Sequence, residues 1–422
     1  MRLLLLTILR QQPISRVRLA RATQLSSTTV TNLTTELIAD GVLDVCGLDA
    51  DAQTPGAGRP PVALMLRPES RYAIGVHIGV RWVRVALVDL QANIRQYVEF
   101  GVHSGEAPEP VIARIADIVA TMVRQFGLEV QGTAGAPGRR IVGVGVGASG
   151  LVESGSGVNV LAPNLGWQNL PLRELLATEL EAQLGPKGAL PVVVDNNVRC
   201  MALAESLYGV GRNVRALAYV YARMGVGAGL VVDGEIYRGA DYGAGEVGHW
   251  VMMPTGGALC SCGNRGCLET YISEAVLLEM AEKVHPELTT GRSEPLKVLF
   301  DAARDGHLGL IELLEDRAFY VGLALANVVN VLNPQLLMLG GWLHDAFDLI
   351  EPVVQRTLRK HAFGGIGRHV DVLPSSFGGY SGVTGAATLA FERFFFSRGI
   401  ESAAQMQPAQ APWVVAGRLP RE

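Results

Sequence analysis

The 422-residue chain has no excess of positive charge: 36 Lys and Arg stand against 40 Asp and Glu, for a formal net charge of −4. A surface that is basic overall is therefore excluded, and any nucleic-acid contact must be local. The chain also lacks a clean membrane-spanning run. The apolar residues after Arg2 are ended by Arg10, with no small-residue cleavage site behind them, so they read as an amphipathic first helix stopped by Pro13 rather than as a signal peptide. The apolar stretch 319–343 is interrupted by Asn327, Asn330, Asn333 and Pro334. Those side chains are costly in lipid, and Asn-Pro is a natural break between a buried helix and a buried strand. Cysteine is scarce, five in all, and Cys-x-x-Cys is absent. No membrane partner and a cytoplasmic location, where disulfides are rare, are expected.

What the chain does have is length for two or three domains and fifty glycines, typical of turn-rich α/β ligand-binding folds. Residues 1–66 read as a winged helix-turn-helix. Two short helices flank a turn at Thr23–Leu25. Ser15 and Ser26 serve as N-caps, and Val30, Leu33 and Leu37 form one apolar stripe. That stripe leaves Ser27, Thr28, Thr29, Thr31 and Asn32 toward solvent, where short polar side chains reach base edges in a major groove. Arg16 and Arg18 on the preceding helix would meet phosphates. Two extended stretches around a Gly/Pro-rich loop make the wing, with Arg59 of Gly58-Arg59-Pro60 suited to a narrow minor groove. Six arginines against five acids give this block only a faint positive excess, and a helical interaction domain with no DNA role is the alternative.

Residues 67–396 read as two α/β halves split near 190–195, each opening with antiparallel strands and the second carrying an Asp233-Gly234 hairpin turn. A duplicated, two-lobed fold with a cleft between lobes is expected, its C-terminal helix returning to the first lobe. Residues 397–422 have little periodicity and read as a poorly ordered tail.

Three of the five cysteines fall in "GHWVMMPTGGALCSCGNRGCLET". His249, Cys260, Cys262 and Cys267 form H-x10-C-x-C-x4-C, poor for a disulfide and suited to a closed, structural zinc site. Glu246 and His249 precede the cluster and Glu269 follows it. Two carboxylates and an imidazole with one nitrogen left free are groups that grip a polyhydroxyl compound.

"GVGAGLVVDGEIYRGADYGAGEVGH" and "CSCGNRGCLE" resemble the signature of the ROK family of repressors and sugar kinases, and the likeness runs from about residue 3 to 395. The resemblance implies a two-lobed, actin-like (ribonuclease H-like) ATPase fold behind a winged helix-turn-helix. It implies sugar contacts at Asn164, Asn196, Asn197, Glu246, His249 and Glu269, with the turn Ser149-Gly150 beneath the sugar. It also exposes departures. Asn197 stands where the kinases carry their catalytic Asp, and losing such a base costs ~10²–10⁴ in rate. His77 and Arg81 stand where an Asp and a Thr of the first phosphate loop belong. Arg223-Met224-Gly225 replaces Gly-Thr-Gly in the second, and of the nucleotide side only Gly340-Gly341 survives. The expectation is a sugar-responsive repressor of carbohydrate genes with no catalytic residue. It would bind a palindromic DNA operator as a homodimer or homotetramer. The alternative is a sugar kinase with an accessory DNA-binding domain.

Overall fold

The computed structural model describes residues 1–49, 61–130, 139–289 and 294–397. Arg59 and the tail beyond 397 lie outside the described residues.

The N-terminal head comprises α1 (Arg2–Gln11), β1 (Ile14–Ser15), α2 (Arg16–Thr23), α3 (Ser27–Ala39), β2 (Leu43–Leu48) and β3 (Val62–Leu66). Its small sheet runs in the order β1-β3-β2. The Ser15 hydroxyl accepts from the Arg18 amide and the Ser26 hydroxyl from the Thr29 amide, so both helices start where a short polar side chain can take an unpaired N–H. Asp40, the C-cap of α3, bonds Arg71 and Arg140 of the body, which fixes the end of this helix to the first lobe.

The first lobe holds β4 (Arg71–Ile78), β5 (Trp82–Asp89), β6 (Ile94–Gly101), α4 (Pro108–Gln125), β7 (Glu129–Val130), β8 (Arg140–Ala148), β9 (Leu151–Glu153), β10 (Val158–Ala162), β11 (Trp167–Leu170), α5 (Leu172–Leu184) and β12 (Val192–Asn196). Its main sheet is ordered β12-β8-β4-β5-β6, with β7 beside β8. The three-stranded sheet β11-β10-β9, one wall of the cleft, was not expected from the sequence; its strands are short and carry no clear alternation. β12 pairs in parallel with β8 through Asn196, so the chain leaves this lobe through α6 (Asn197–Leu207), just beyond the expected 190–195.

The second lobe follows as β13 (Ala216–Ala222), β14 (Val226–Val232), β15 (Glu235–Tyr237), α7 (Glu269–Ile272), α8 (Glu274–Val284), α9 (Pro286–Thr289), α10 (Pro295–Arg304), α11 (Leu308–Leu332), β16 (Leu336–Gly341), α12 (Trp342–Asp345), α13 (Phe347–His361) and β17 (Asp371–Pro374), and α14 (Ser381–Phe391) closes the fold. The sheet β15-β14-β13-β16-β17 repeats the antiparallel-then-parallel plan of the first. Positive φ at both Asp233 and Gly234 makes the hairpin turn that matches strand twist. Alternating strand residues and helical stripes bury one core per lobe, and a third core joins the head to α6 and α14. α14 lies close on the first sheet because β8 offers glycine: a Cβ on Gly145 would stand 1.8 Å from the Ala386 carbonyl oxygen. Among the described residues no helix is long and apolar enough to cross a membrane. The apolar stretch divides into α11, an αL Asn333 and β16.

Candidate functional site

The lobes enclose a cavity of about 580 Å³, and Ser149, Gly150, Asn164, Asn196, Asn197, Glu246, His249 and Glu269 all line it. Its floor is the β8–β9 turn. Gly150 sits there at φ +96°, and a Cβ on it would press to 2.3 Å on the Leu161 carbonyl oxygen. Asn196 caps α6: its Oδ1 accepts from the amides of Val198 and Arg199, and its Nδ2 donates to the Gly150 carbonyl at 2.9 Å. Its amide is thus occupied in joining α6 to the floor. Asn197, the first residue of α6, is buried, and its Oδ1 accepts from the Val198 amide at 2.9 Å.

The opposite wall belongs to the second lobe. Glu269 accepts from the Val226 amide at 3.0 Å and from the Ser261 hydroxyl at 3.4 Å, which sets its carboxylate against the start of β14. Glu246 stands in the open mouth, reached by solvent yet ringed by protein. That desolvation raises its pKa above the usual carboxylate value, and His249 works in the opposite sense. Asp195 was not singled out by sequence reasoning. It is fully buried, forms ion pairs with Arg199 at 3.2 Å and Arg238 at 2.8 Å, and so ties β12 to the loop that presents Glu246. The Arg238 partner is distant in sequence, and no local signal announces it.

Behind this wall His249, Cys260, Cys262 and Cys267 bring one ligand atom each to within 4.8 Å of the others. Cys262 Sγ and Cys267 Sγ are 3.8 Å apart, and Cys260 Sγ lies 3.6 Å from His249 Nδ1. A tetrahedral Zn–S centre with bonds of ~2.3 Å has edges of roughly 3.8 Å, so the donor set and its spacing fit such an ion. Burial and the neighbouring thiols raise the Cys267 thiol pKa. The cluster can hold a metal. Since Nδ1 faces the sulfurs, Nε2 of His249 is the nitrogen left for the cavity.

A second cavity of about 710 Å³ adjoins the first, and His77, Tyr221, Arg223 and Met224 line both. His77 is buried; desolvation, then Arg84, lowers its pKa to about 3, so the imidazole is neutral. Arg223 pairs with Asp345 at 2.6 Å and Glu274 at 3.4 Å, and Arg81 reaches Glu274 from the first lobe at 3.8 Å. Arg81 and Arg223 thus already have protein carboxylates.

In the head, Ser27, Thr28, Thr29, Thr31 and Asn32 are all exposed, as is Thr35 one turn further on. Thr29 also bonds the Ser26 hydroxyl at 2.8 Å. Arg16 Nε donates to Thr34 at 2.8 Å, and Arg18 pairs with the buried Asp49 at 2.9 Å, so both arginines also hold α2 within the head.

Known proteins match this layout at two lengths. The xylose repressor of Bacillus spizizenii is 27% identical over 394 residues, which is 93% of this chain and 95% of that protein. A solved ROK family transcriptional regulator, a homolog of the E. coli MLC protein, superposes with a TM-score of 0.72 at 25% identity over 92% of this chain and 94% of its own. A Streptomyces griseus ROK glucokinase solved with glucose and AMPPNP gives a TM-score of 0.62 at 28% identity over 76% of this chain and 99% of its own. The kinase thus leaves about a quarter of this chain unmatched, whereas the regulators extend over nearly all of it. Residues 73–393 match the ROK family model, and the chain belongs to the ROK family.

Proposed function

We propose that the protein is a sugar-responsive, DNA-binding transcriptional repressor in which phosphoryl transfer has been lost. One observation supports the reading: the eight residues that resemble sugar contacts line a single cavity, among them Asn197 where the resemblance implies the catalytic Asp, while His77 and the paired Arg223, where it implies phosphate-loop residues, line both that cavity and the one beside it. A neutral amide at 197 supplies no base for a sugar hydroxyl, and a neutral, buried His77 replaces an acid of the phosphate loop. Glu246, Glu269 and His249 Nε2 are acceptors or donors suited to vicinal hydroxyls. Zinc at the His-Cys₃ cluster is structural: it would hold the loop that orients His249, with all four positions filled by protein.

DNA is read by the exposed face of α3 and by Arg16 and Arg18 at phosphates, with Arg59 of the Gly58-Arg59-Pro60 sequence as a further candidate contact. Two heads on a palindrome require a homo-oligomer, and sugar-driven movement of the lobes changes how well both heads fit one helical turn apart. Coupling of roughly 1–3 kcal/mol is typical of such linkage.

The test starts with a thermal-shift panel of pentoses, hexoses and amino sugars, D-xylose first because a relative is a xylose repressor. It continues with the affinity of a duplex selected from random DNA, measured with and without the active sugar. A sugar that stabilises the protein and changes duplex affinity is the expected result. Sugar-independent DNA binding throughout the panel contradicts the reading, and ATP-dependent phosphorylation of any of these sugars revives the kinase alternative.

A further inference from the structure

Six consecutive residues of α1, Leu4 to Leu9, are buried. A helix buried round its circumference is a core element rather than a surface one. One side of α1 packs on α2 and β3 of the head, and the other meets α6 and the π-helical turn Glu392–Phe396 of the body. Its N-terminal charge reaches both lobes and its C-terminal charge reaches the second. Arg2 donates twice to Glu392 Oε1, at 2.8 and 3.1 Å, beside α14, and its other nitrogen lies 3.8 Å from Glu235 at the start of β15. Arg10 rests on the same hairpin: its Nη2 is 3.2 Å from where a Cβ on Gly234 would stand.

Two body elements run from the sugar cavity to this helix. α6 starts at Asn197 in the cavity wall and ends at Leu207, within the core shared with α1. β14 starts at Val226, where Glu269 takes its amide, and ends at the Asp233-Gly234 turn under Arg10. Both are continuous regular elements, rising about 1.5 Å and 3.4 Å per residue respectively. Among the described residues, Arg10 Nε, the Tyr208 hydroxyl at the C-cap of α6 and Glu392 Oε2 are buried without a hydrogen-bond partner. These polar groups lie along the seam between α1, α6 and the turn after α14.

We infer that α1 is the coupling element between sugar and DNA: it is clamped to the first lobe by Arg2–Glu392 and to the second by Arg2–Glu235 and Arg10 on the β14–β15 turn, and Arg2, Arg10 and Glu235 are its positioning residues. The inference rests on the sugar-responsive reading above. Ligand on Glu269 and Asn197 shifts β14 relative to α6, the hairpin moves against α1, and the head follows because α1 is part of its core.

The test uses the full chain, native and as the Arg10→Leu/Glu235→Ala double variant. Amide exchange of α1 is followed together with affinity for the selected duplex, with and without saturating D-xylose or D-glucose. In the variant, α1 amides exchange at least about fivefold faster. The sugar-induced thermal shift stays at its native size, and the ratio of duplex affinities with and without sugar falls to within about twofold of unity. Unchanged α1 exchange, or a native ratio in the variant, overturns the inference. Absence of any sugar response in the native chain contradicts the reading of the cavity instead, and the exchange result still decides for or against the clamp. Should the double variant fail to fold, Glu235→Ala alone, altered at an exposed carboxylate, carries the same comparison.

Discussion

Asn197 carries an amide and His77 a buried imidazole held neutral, so on the proposed reading neither position exchanges a proton near neutrality. Restoring one carboxylate is therefore not enough: Asn197→Asp is expected to show no ATP turnover above background with any sugar it binds, because Arg223 remains paired to Asp345 and Glu274. A coupled assay for ADP checks this, and substantial turnover would contradict the account of the phosphate loops. Glu269→Ala removes charge-assisted bonds worth about 1.5–3 kcal/mol each, so calorimetry should show sugar affinity at least tenfold weaker, with DNA binding in the absence of sugar retained. His77 makes a separate prediction about acid. Its folded pKa of about 3 lies below the unfolded value of 6.5, so the unfolded chain binds the extra proton. The contribution of His77 to stability is present above pH 6.5 and declines as pH falls toward 3. His77→Gln should accordingly lose less Tm than the native chain between pH 6.5 and 4.5; an equal loss in both would place the acid sensitivity elsewhere.

Elements with strong local signals were legible in the sequence. Ser15, Ser26 and the stripe Val30, Leu33 and Leu37 announced α2 and α3, and Asp233-Gly234 announced its hairpin. The spacing of the four metal-ligand candidates announced a cluster that folding brings together. What was illegible depends on distant partners. The sheet β9–β11 has strands of three to five residues, and its placement comes from packing under α5 rather than from propensity. The Asp195–Arg238 pair and the second engagements of Arg16 and Arg18 likewise need the tertiary fold to be seen. Two predictions belong here. Asn32→Ala on the exposed face of α3 should cost about 1–3 kcal/mol of discrimination at one base pair with Tm unchanged, read by competition binding. Stripping metal with a chelator should lower Tm and abolish the sugar-induced shift together, since the cluster holds His249; a shift that survives complete metal removal would contradict its proposed role.

For the whole molecule, two lobes of one plan flank a cavity, and a head is attached through a shared core rather than a free linker. On the proposed reading that attachment gives a change between lobes a route to the head, because α1, α6 and α14 share one core and Asp40 fixes α3 to the first sheet. The fold plan was readable from family-like motifs. The mode of head attachment was not, since an apolar first helix reads the same whether it packs within the head or between head and body. The most direct measurement is fluorescence anisotropy of the selected duplex titrated with native protein at zero and saturating sugar, across the pentose, hexose and amino-sugar panel. The account predicts that at least one sugar changes the dissociation constant about fivefold or more. Identical curves for every sugar, with DNA bound tightly throughout, would contradict it.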